Sequence, residues 1–383
     1  MDLEGDAEGA LRCPPPSRSE RSSESFRGMS VKRTLFTVGP VEVRKEVLES
    51  MTRPMITHRS KEYEQLQEGI VEKLHKTLDT DMHILISPSS ASGLLEACVR
   101  NGVNQKMLGL SNGSFGDRWQ EIGSLNGKEV VKANSAWGKA IRPSELHACL
   151  DDSIEAITLV ANESSTGVLN PVKEIVKAAR DEHDPLVFVD GVTAVYGTDL
   201  RIKDLDLDAL VFGTQKALAL PPGLAIMCIS DRLLDKAKTV SNRGYYFDFL
   251  KMMEKAEKYY SLTTPPVSLL YALDFQLDRI LKEGVQARYQ RHKDMGDLVR
   301  DWAREHLGLY AEPGYFSDTI TVINRNGMDF SKLNKSLKEK GYEISNGYGS
   351  IKETTFRIGH MGDLTVDDIK GLLKAMDEVM EAM

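Results

Sequence analysis

Cysteine is sparse in this chain: four in 383 residues, at Cys13, Cys98, Cys149 and Cys228, with no CxxC pair among them. That spacing excludes a zinc ribbon, argues against a disulfide framework and fits a reducing, cytoplasmic compartment. Long apolar runs are missing as well. The longest, 217–229, is interrupted by Pro221, Pro222 and Gly223 and falls short of the ~18 to 20 residues that a membrane span requires. Positive charge is in deficit, with 49 Lys and Arg against 57 Asp and Glu for a net charge of -8, so a nucleic acid or an anionic membrane would meet a repulsive field. What remains is average: 41% hydrophobic and 28% charged residues exclude fibrous and wholly disordered classes. The length allows one large domain or two of ordinary size. No metal site is expected, and composition is silent about the chemistry.

Residues 1–28 differ from the rest, being rich in Ser, Arg, Glu and Pro with almost nothing apolar to bury, and are expected to be a disordered extension. Asp2, Glu4, Asp6, Glu8, Glu20 and Glu24 argue against an organelle transit peptide, which is poor in acid. Met29 directly precedes the first ordered-looking segment and is expected to be the biological start. From residue 82, short apolar runs alternate with helix-period segments, the pattern of βαβ units and a largely parallel sheet, so the fold class is α/β. Strands are expected at 83–87, 106–110, 156–161, 186–190, 209–213 and 224–229. The clearest helix, 171–183, opens with proline and carries Val172, Ile175, Val176 and Ala179 on one face. Beyond Pro266 come two long helical segments, 267–282 and 285–306, two short strands, 319–323 and 355–358, and an amphipathic final helix. The shift predicts a large domain over 29–275 and a smaller α+β domain over 276–383. No internal repeat is present.

Ligands of parallel α/β sheets bind beyond the carboxyl ends of the strands, so chemistry is sought there. After 83–87 comes Ser89-Ser90-Ala91-Ser92-Gly93, a small-residue turn entering a helix. Such a turn presents free N–H groups to a phosphate, and equally serves as an ordinary helix cap. The apolar run 186–190 ends in Asp190, a buried acid that needs a cationic partner. Lys216 follows the apolar run 209–213; lysine is seldom buried without a reason, though most lysines are simply solvated. Taken together, the lysine, the acid and the anion turn match the needs of pyridoxal phosphate: an imine-forming amine, an acid for the pyridine nitrogen and a phosphate cradle.

The sequence resembles the class V, fold-type I pyridoxal-phosphate aminotransferases of the serine–pyruvate/alanine–glyoxylate group. The resemblance is carried, in order, by Thr37-Val38-Gly39-Pro40, His58-Arg59-Ser60, Asn112-Gly113-Ser114-Phe115-Gly116, Asn162-Glu163-Ser164-Ser165-Thr166-Gly167-Val168 and Phe188-Val189-Asp190-Gly191-Val192. It continues through Thr214-Gln215-Lys216, Pro221-Pro222-Gly223-Leu224-Ala225, Thr264-Pro265-Pro266 and Phe356-Arg357-Ile358-Gly359. It implies a mainly parallel seven-stranded sheet in a large domain, a smaller C-terminal α+β domain and a homodimer. The activity implied is transfer of an amino group from a small L-amino acid, serine or alanine, to glyoxylate or pyruvate.

Carried over by position, the resemblance makes Lys216 the residue that binds pyridoxal 5'-phosphate as an imine and later moves a proton. Asp190 bonds the pyridine nitrogen, Phe115 stacks on the ring, and Ser90, Ala91, Ser92 and Gln215 hold the phosphate. Ser164 and Val192 lie beside the cofactor, and Ser164, Gly39 and Arg357 meet the substrate, Arg357 by its carboxylate. Animal members tend to read Ser-Gly-His where this chain has Ser90-Ala91-Ser92, so an imidazole is missing from the turn. Thr264 reaches the phosphate in the neighbouring subunit. Relatives often carry a tyrosine where this chain has Ser261 or Thr263, a role that falls here to Tyr259 or Tyr260. His360 is a neighbour without a catalytic role.

Cysteine desulfurases share the fold type but need a nucleophilic cysteine in the C-terminal region, and none follows Cys228. An aspartate-preferring transaminase would want a further arginine, for which Arg44, Arg53, Arg59 and Arg243 are candidates. The remaining alternative is a cofactor-binding protein without turnover.

Overall fold

The computed structural model describes residues 33–383. The expected extension over 1–28 and the expected start at Met29 lie outside the described residues. Thirteen strands appear in chain order: β1 (Thr34–Phe36), β2 (His83–Ser87), β3 (Lys106–Ser111), β4 (Glu129–Asn134), β5 (Ala156–Val160), β6 (Asn162–Glu163), β7 (Val168–Leu169), β8 (Leu186–Asp190), β9 (Ala209–Gly213), β10 (Ala225–Ile229), β11 (Ile320–Asn324), β12 (Tyr342–Asn346) and β13 (Thr355–Gly359).

Seven of them form the main sheet, in the order β2-β10-β9-β8-β5-β3-β4. Neighbours are parallel except β10, which runs antiparallel to both β2 and β9. The central strands read as unbroken apolar runs because both faces of the sheet are covered. Leu108, Ile157, Val187, Val189, Leu210 and Phe212 enter one core. Met107, Ala156, Phe188, Val211 and Met227, interleaved with them, enter the other. Helix Val172–Glu182 packs the face foreseen for it, with Val172, Ile175, Val176 and Ala179 buried.

A second sheet has the order β1-β12-β13-β11. Its core joins Phe36, Ile323, Ile344, Phe356 and Ile358 to Met295, Leu333 and Leu372 from the helices Val285–His306, Phe330–Glu339 and Val366–Glu381. The N-terminal strand β1 pairs with β12 in parallel, Thr34 opposite Tyr342, so the first described residues complete a sheet otherwise built near the C-terminus. Among the described residues, no helix is long and apolar enough to cross a membrane. Cys98 and Cys228 are buried free thiols, and burial pushes both upward in pKa, Cys228 to about 12, which makes them poor nucleophiles.

Candidate active site

The carboxyl ends of β2, β3, β5, β8 and β9 share one edge of the main sheet, and the turns that follow them enclose a cavity of about 160 Å³. Ser90, Ala91, Ser92, Phe115, Ser164, Asp190, Val192, Gln215 and Lys216 all line it. Sheet register explains the convergence: Asp190 lies between Val160 of β5 and Val211 of β9, and Lys216 follows Gly213, the last residue of β9, by three. The lysine turn is stapled by Thr214, whose hydroxyl donates to the carbonyls of Pro221 at 2.9 Å and Leu224 at 3.2 Å.

Asp190 is buried, with one protein donor: the Val192 N–H, 2.8 Å from Oδ1. Burial pushes its carboxyl up to about 6, opposed by that N–H and by the charges of Arg118 and Lys216. The Lys216 amine is driven down to about 8, first by burial and then by the charge of Arg357, against the pull of Asp190. Its Nζ donates to the carbonyl oxygen of Val38. A Cβ at Gly39, where φ is +111°, would fall 2.6 Å from that Nζ, so Gly39 leaves the space that the lysine side chain occupies.

Helix Ala91–Gly102 begins at the anion turn, and its cap, Ser90, makes no side-chain bond to the first turn. The helix therefore offers its amino-terminal donors to the cavity. Beside them stands Arg118, whose Nη1 is 3.4 Å from the Ser92 hydroxyl and whose Cζ lies 4.7 Å from the centre of the Phe115 ring.

Phe115 opens helix Ser114–Leu125, which is capped by the residues after β5. Glu163 Oε2 accepts the N–H groups of Phe115 at 3.0 Å and Gly116 at 3.1 Å, and Oε1 accepts Ser165 N–H and hydroxyl. A Cβ on Gly113 would meet Glu163 Cγ at 2.5 Å, so this glycine admits the buried carboxylate. Burial pushes Glu163 up to about 7 despite those donors. Arg357, at the centre of β13 and 8% exposed, donates to the carbonyls of Asn346 at 2.9 Å and Ser164 at 3.3 Å. Burial lowers it to about 10. Tyr348 bridges the two regions, its ring stacked 5.7 Å from Phe115 and 5.2 Å from the Arg357 guanidinium.

Other expected residues lie elsewhere. Thr264 is exposed and does not line this cavity. Neither do Arg44, Arg53, Arg59 or Arg243: Arg44 donates to the carbonyl of Asp363, Arg53 lies over Tyr271, and Arg243 is held by Asp248 and the Ala237 carbonyl. Tyr260 reaches Glu64, 3.3 Å away. His360 is buried between Thr321 and the Asp318 carbonyl and is pushed down to about 3, chiefly by burial, so it is a neutral packing residue. Sequence reasoning missed Arg118, Glu163 and Tyr348. For Arg118 a signal existed, its position one helical turn after Phe115.

Pyridoxal phosphate fits this donor set. Asp190 lacks the second donor that a protonated ring nitrogen supplies, the helix amino terminus and Arg118 suit a phosphate, and Lys216 is an amine held near neutrality. Among the described residues, no cluster of three His, Cys, Asp or Glu could hold a metal ion.

A family model described as aminotransferase class-V matches residues 114–370. An uncharacterized aminotransferase of Methanocaldococcus jannaschii is 34% identical over 343 residues, which cover 87% of this chain and 89% of that protein. A serine–glyoxylate aminotransferase of Methylorubrum extorquens is 30% identical over 358 residues, covering 88% and 89%. The crystal structure of a phosphoserine aminotransferase from Cytophaga hutchinsonii superposes with a TM-score of 0.84 at 27% identity, covering 90% of this chain and 98% of that one.

Proposed function

The chain belongs to the class V aminotransferases, and we propose that it moves the amino group of a small L-amino acid, serine or alanine, to a 2-oxo acid, glyoxylate or pyruvate. The observation that carries this reading is the convergence of Lys216 and Asp190 on one buried cavity, with Arg357 bonded to the carbonyl of Ser164, a residue of its lining. When bound, pyridoxal phosphate supplies an electron-withdrawing ring that stabilises negative charge at the substrate Cα.

Lys216 holds the cofactor's aldehyde carbon, Asp190 its ring nitrogen, Phe115 and Val192 its ring, and Ser90, Ala91, Ser92 and Gln215 its phosphate. Arg357 binds the substrate carboxylate beside Ser164 and Gly39; its planar fork fixes the orientation of the Cα–H bond. Once the substrate amine has displaced it from the aldehyde carbon, Lys216 would be a free amine able to take the Cα proton and hand it back, work that suits a group poised near 8. Asp190 stays charged at neutral pH with a carboxyl near 6, and so keeps a ring nitrogen protonated. Arg44, Arg53, Arg59 and Arg243 do not line the cavity, whereas Arg118 does. The assembly is a homodimer in which Thr264, exposed on its own subunit, reaches the neighbouring phosphate. Residues 276–383 act as a small domain that takes in β1 through its pairing with β12, and the residues between β1 and 276 act as the large domain.

The test is a single-turnover screen of the reconstituted protein. Alanine, serine, aspartate, glutamate and aminoethylphosphonate are added singly, and the absorbance of the bound cofactor is followed. Rapid conversion by alanine or serine is expected. Conversion by aspartate or aminoethylphosphonate alone would overturn the substrate assignment.

A further inference from the structure

Arg118 has no ion-pair partner among the described residues, although it lines a cavity that holds the buried carboxylate of Asp190. Of its five N–H donors one is used, on the Ser92 hydroxyl at 3.4 Å. Its guanidinium rests on the Phe115 ring, 4.7 Å from the centre, so its position is set by the helix Ser114–Leu125 and by stacking.

The charges in the cavity show what is wanting. Asp190 and Lys216 offset each other, which leaves Arg118 as surplus positive charge among the lining residues. It stands at the amino terminus of helix Ala91–Gly102, where the cap residue leaves the first turn unbonded by a side chain. Ser90, Ala91 and Ser92 bring no charge of their own. A helix terminus contributes about +0.5 of a charge, far short of what a phosphate monoester with nearly two negative charges needs. A guanidinium in this place supplies paired donors in a fork that matches two phosphate oxygens.

We propose that Arg118 is the cation that pairs with the cofactor phosphate inside each subunit, an assignment that rests on the aminotransferase reading above. It takes the place in the anion turn that no residue of 90–92 fills, acting from the next helix across the Ser92 hydroxyl.

The experiment compares pyridoxal phosphate with pyridoxal, which lacks the phosphate. Equilibrium uptake of each by the full-length apoprotein is measured by absorbance for the wild type, Arg118→Gln and Arg118→Lys, with circular dichroism to verify folding. Arg118→Gln is expected to weaken pyridoxal phosphate ~10- to 100-fold, as loss of a charge-assisted pair does, and to leave pyridoxal within ~2-fold. Arg118→Lys, which keeps the charge and loses the fork, should recover part of the difference. Inorganic phosphate should slow uptake of pyridoxal phosphate by the wild type more than by Arg118→Gln. Equal weakening of both aldehydes would assign Arg118 to support of Phe115 and overturn the proposal. So would unchanged affinities with a raised KM for aspartate, which would assign it to a substrate carboxylate. Wild-type protein that takes up neither aldehyde would contradict the aminotransferase reading itself, and this assignment with it.

Discussion

Arg357 donates from Nη1 to the carbonyl oxygen of Ser164 at 3.3 Å, a bond between the centre of the four-stranded sheet and the turn that joins β6 to β7. The guanidinium is thereby fixed at the cavity edge, close enough for its charge to lower the Lys216 amine. It makes two hydrogen bonds, both to carbonyls, and has no carboxylate partner among the described residues, so its remaining donors suit a substrate.

Arg357→Ala should therefore raise KM for every accepted amino acid by ~10²-fold or more, the worth of a bidentate charge-assisted pair. Affinity for pyridoxal phosphate should stay within a few-fold. Steady-state kinetics beside an absorbance titration provides the check; unchanged KM would remove Arg357 from the site.

Asp190→Asn keeps the shape and removes the charge. The Val192 N–H can still bond the amide oxygen, so the protein should fold and take up cofactor. Asparagine cannot hold a ring nitrogen protonated, and kcat should fall at least ~10²-fold. A kcat close to wild type would show that the carboxylate does not face the ring.

The pH dependence of cofactor uptake follows from Lys216. An amine attacks an aldehyde in its neutral form, and burial with the Arg357 charge lowers its pKa to about 8. The uptake rate of pyridoxal, which has no phosphate to titrate, should rise about tenfold per pH unit below 8 and level off above it. In Arg357→Ala the inflection should move upward, because a depressing charge is gone. Stopped-flow absorbance between pH 6 and 10 measures both; an inflection near 10 in the wild type would mean an ordinary solvated lysine.

Glu163 is predicted to matter through position. It caps the helix that carries Phe115 and Arg118, accepting four donors in a fully buried setting. Glu163→Gln turns one acceptor oxygen into an amide donor facing other donors, and should cost ~1 to 3 kcal/mol of stability. Denaturant midpoints at constant m-value report this; an unchanged midpoint would show that the cap is dispensable.

The main sheet was legible because strands covered on both faces become continuous apolar runs, as in Leu186–Asp190 and Ala209–Gly213, which fall where periodicity places them. Strand β4 was not, since Glu129 and Lys132 expose an edge strand to solvent and break the pattern. Nor was the pairing of β1 with β12, which joins segments some three hundred residues apart through a short strand of which only Phe36 is buried. Within the site, Lys216 and Asp190 announced themselves as polar residues at the ends of apolar strands. Arg118 reads in sequence as one more charged residue on an amphipathic helix, its place one turn after Phe115 being a slight signal that the neighbouring Ser92 turn makes meaningful. Glu163 was visible inside its motif, yet its burial depends on the missing side chain of Gly113.

The central claim is that Lys216 carries the cofactor covalently. The direct test is to load purified protein with pyridoxal phosphate, reduce it with borohydride, digest it and locate the attached mass by tandem mass spectrometry. The account predicts one modified residue, Lys216, and no modification in Lys216→Ala. A label on another lysine, or none in the wild type, would contradict it.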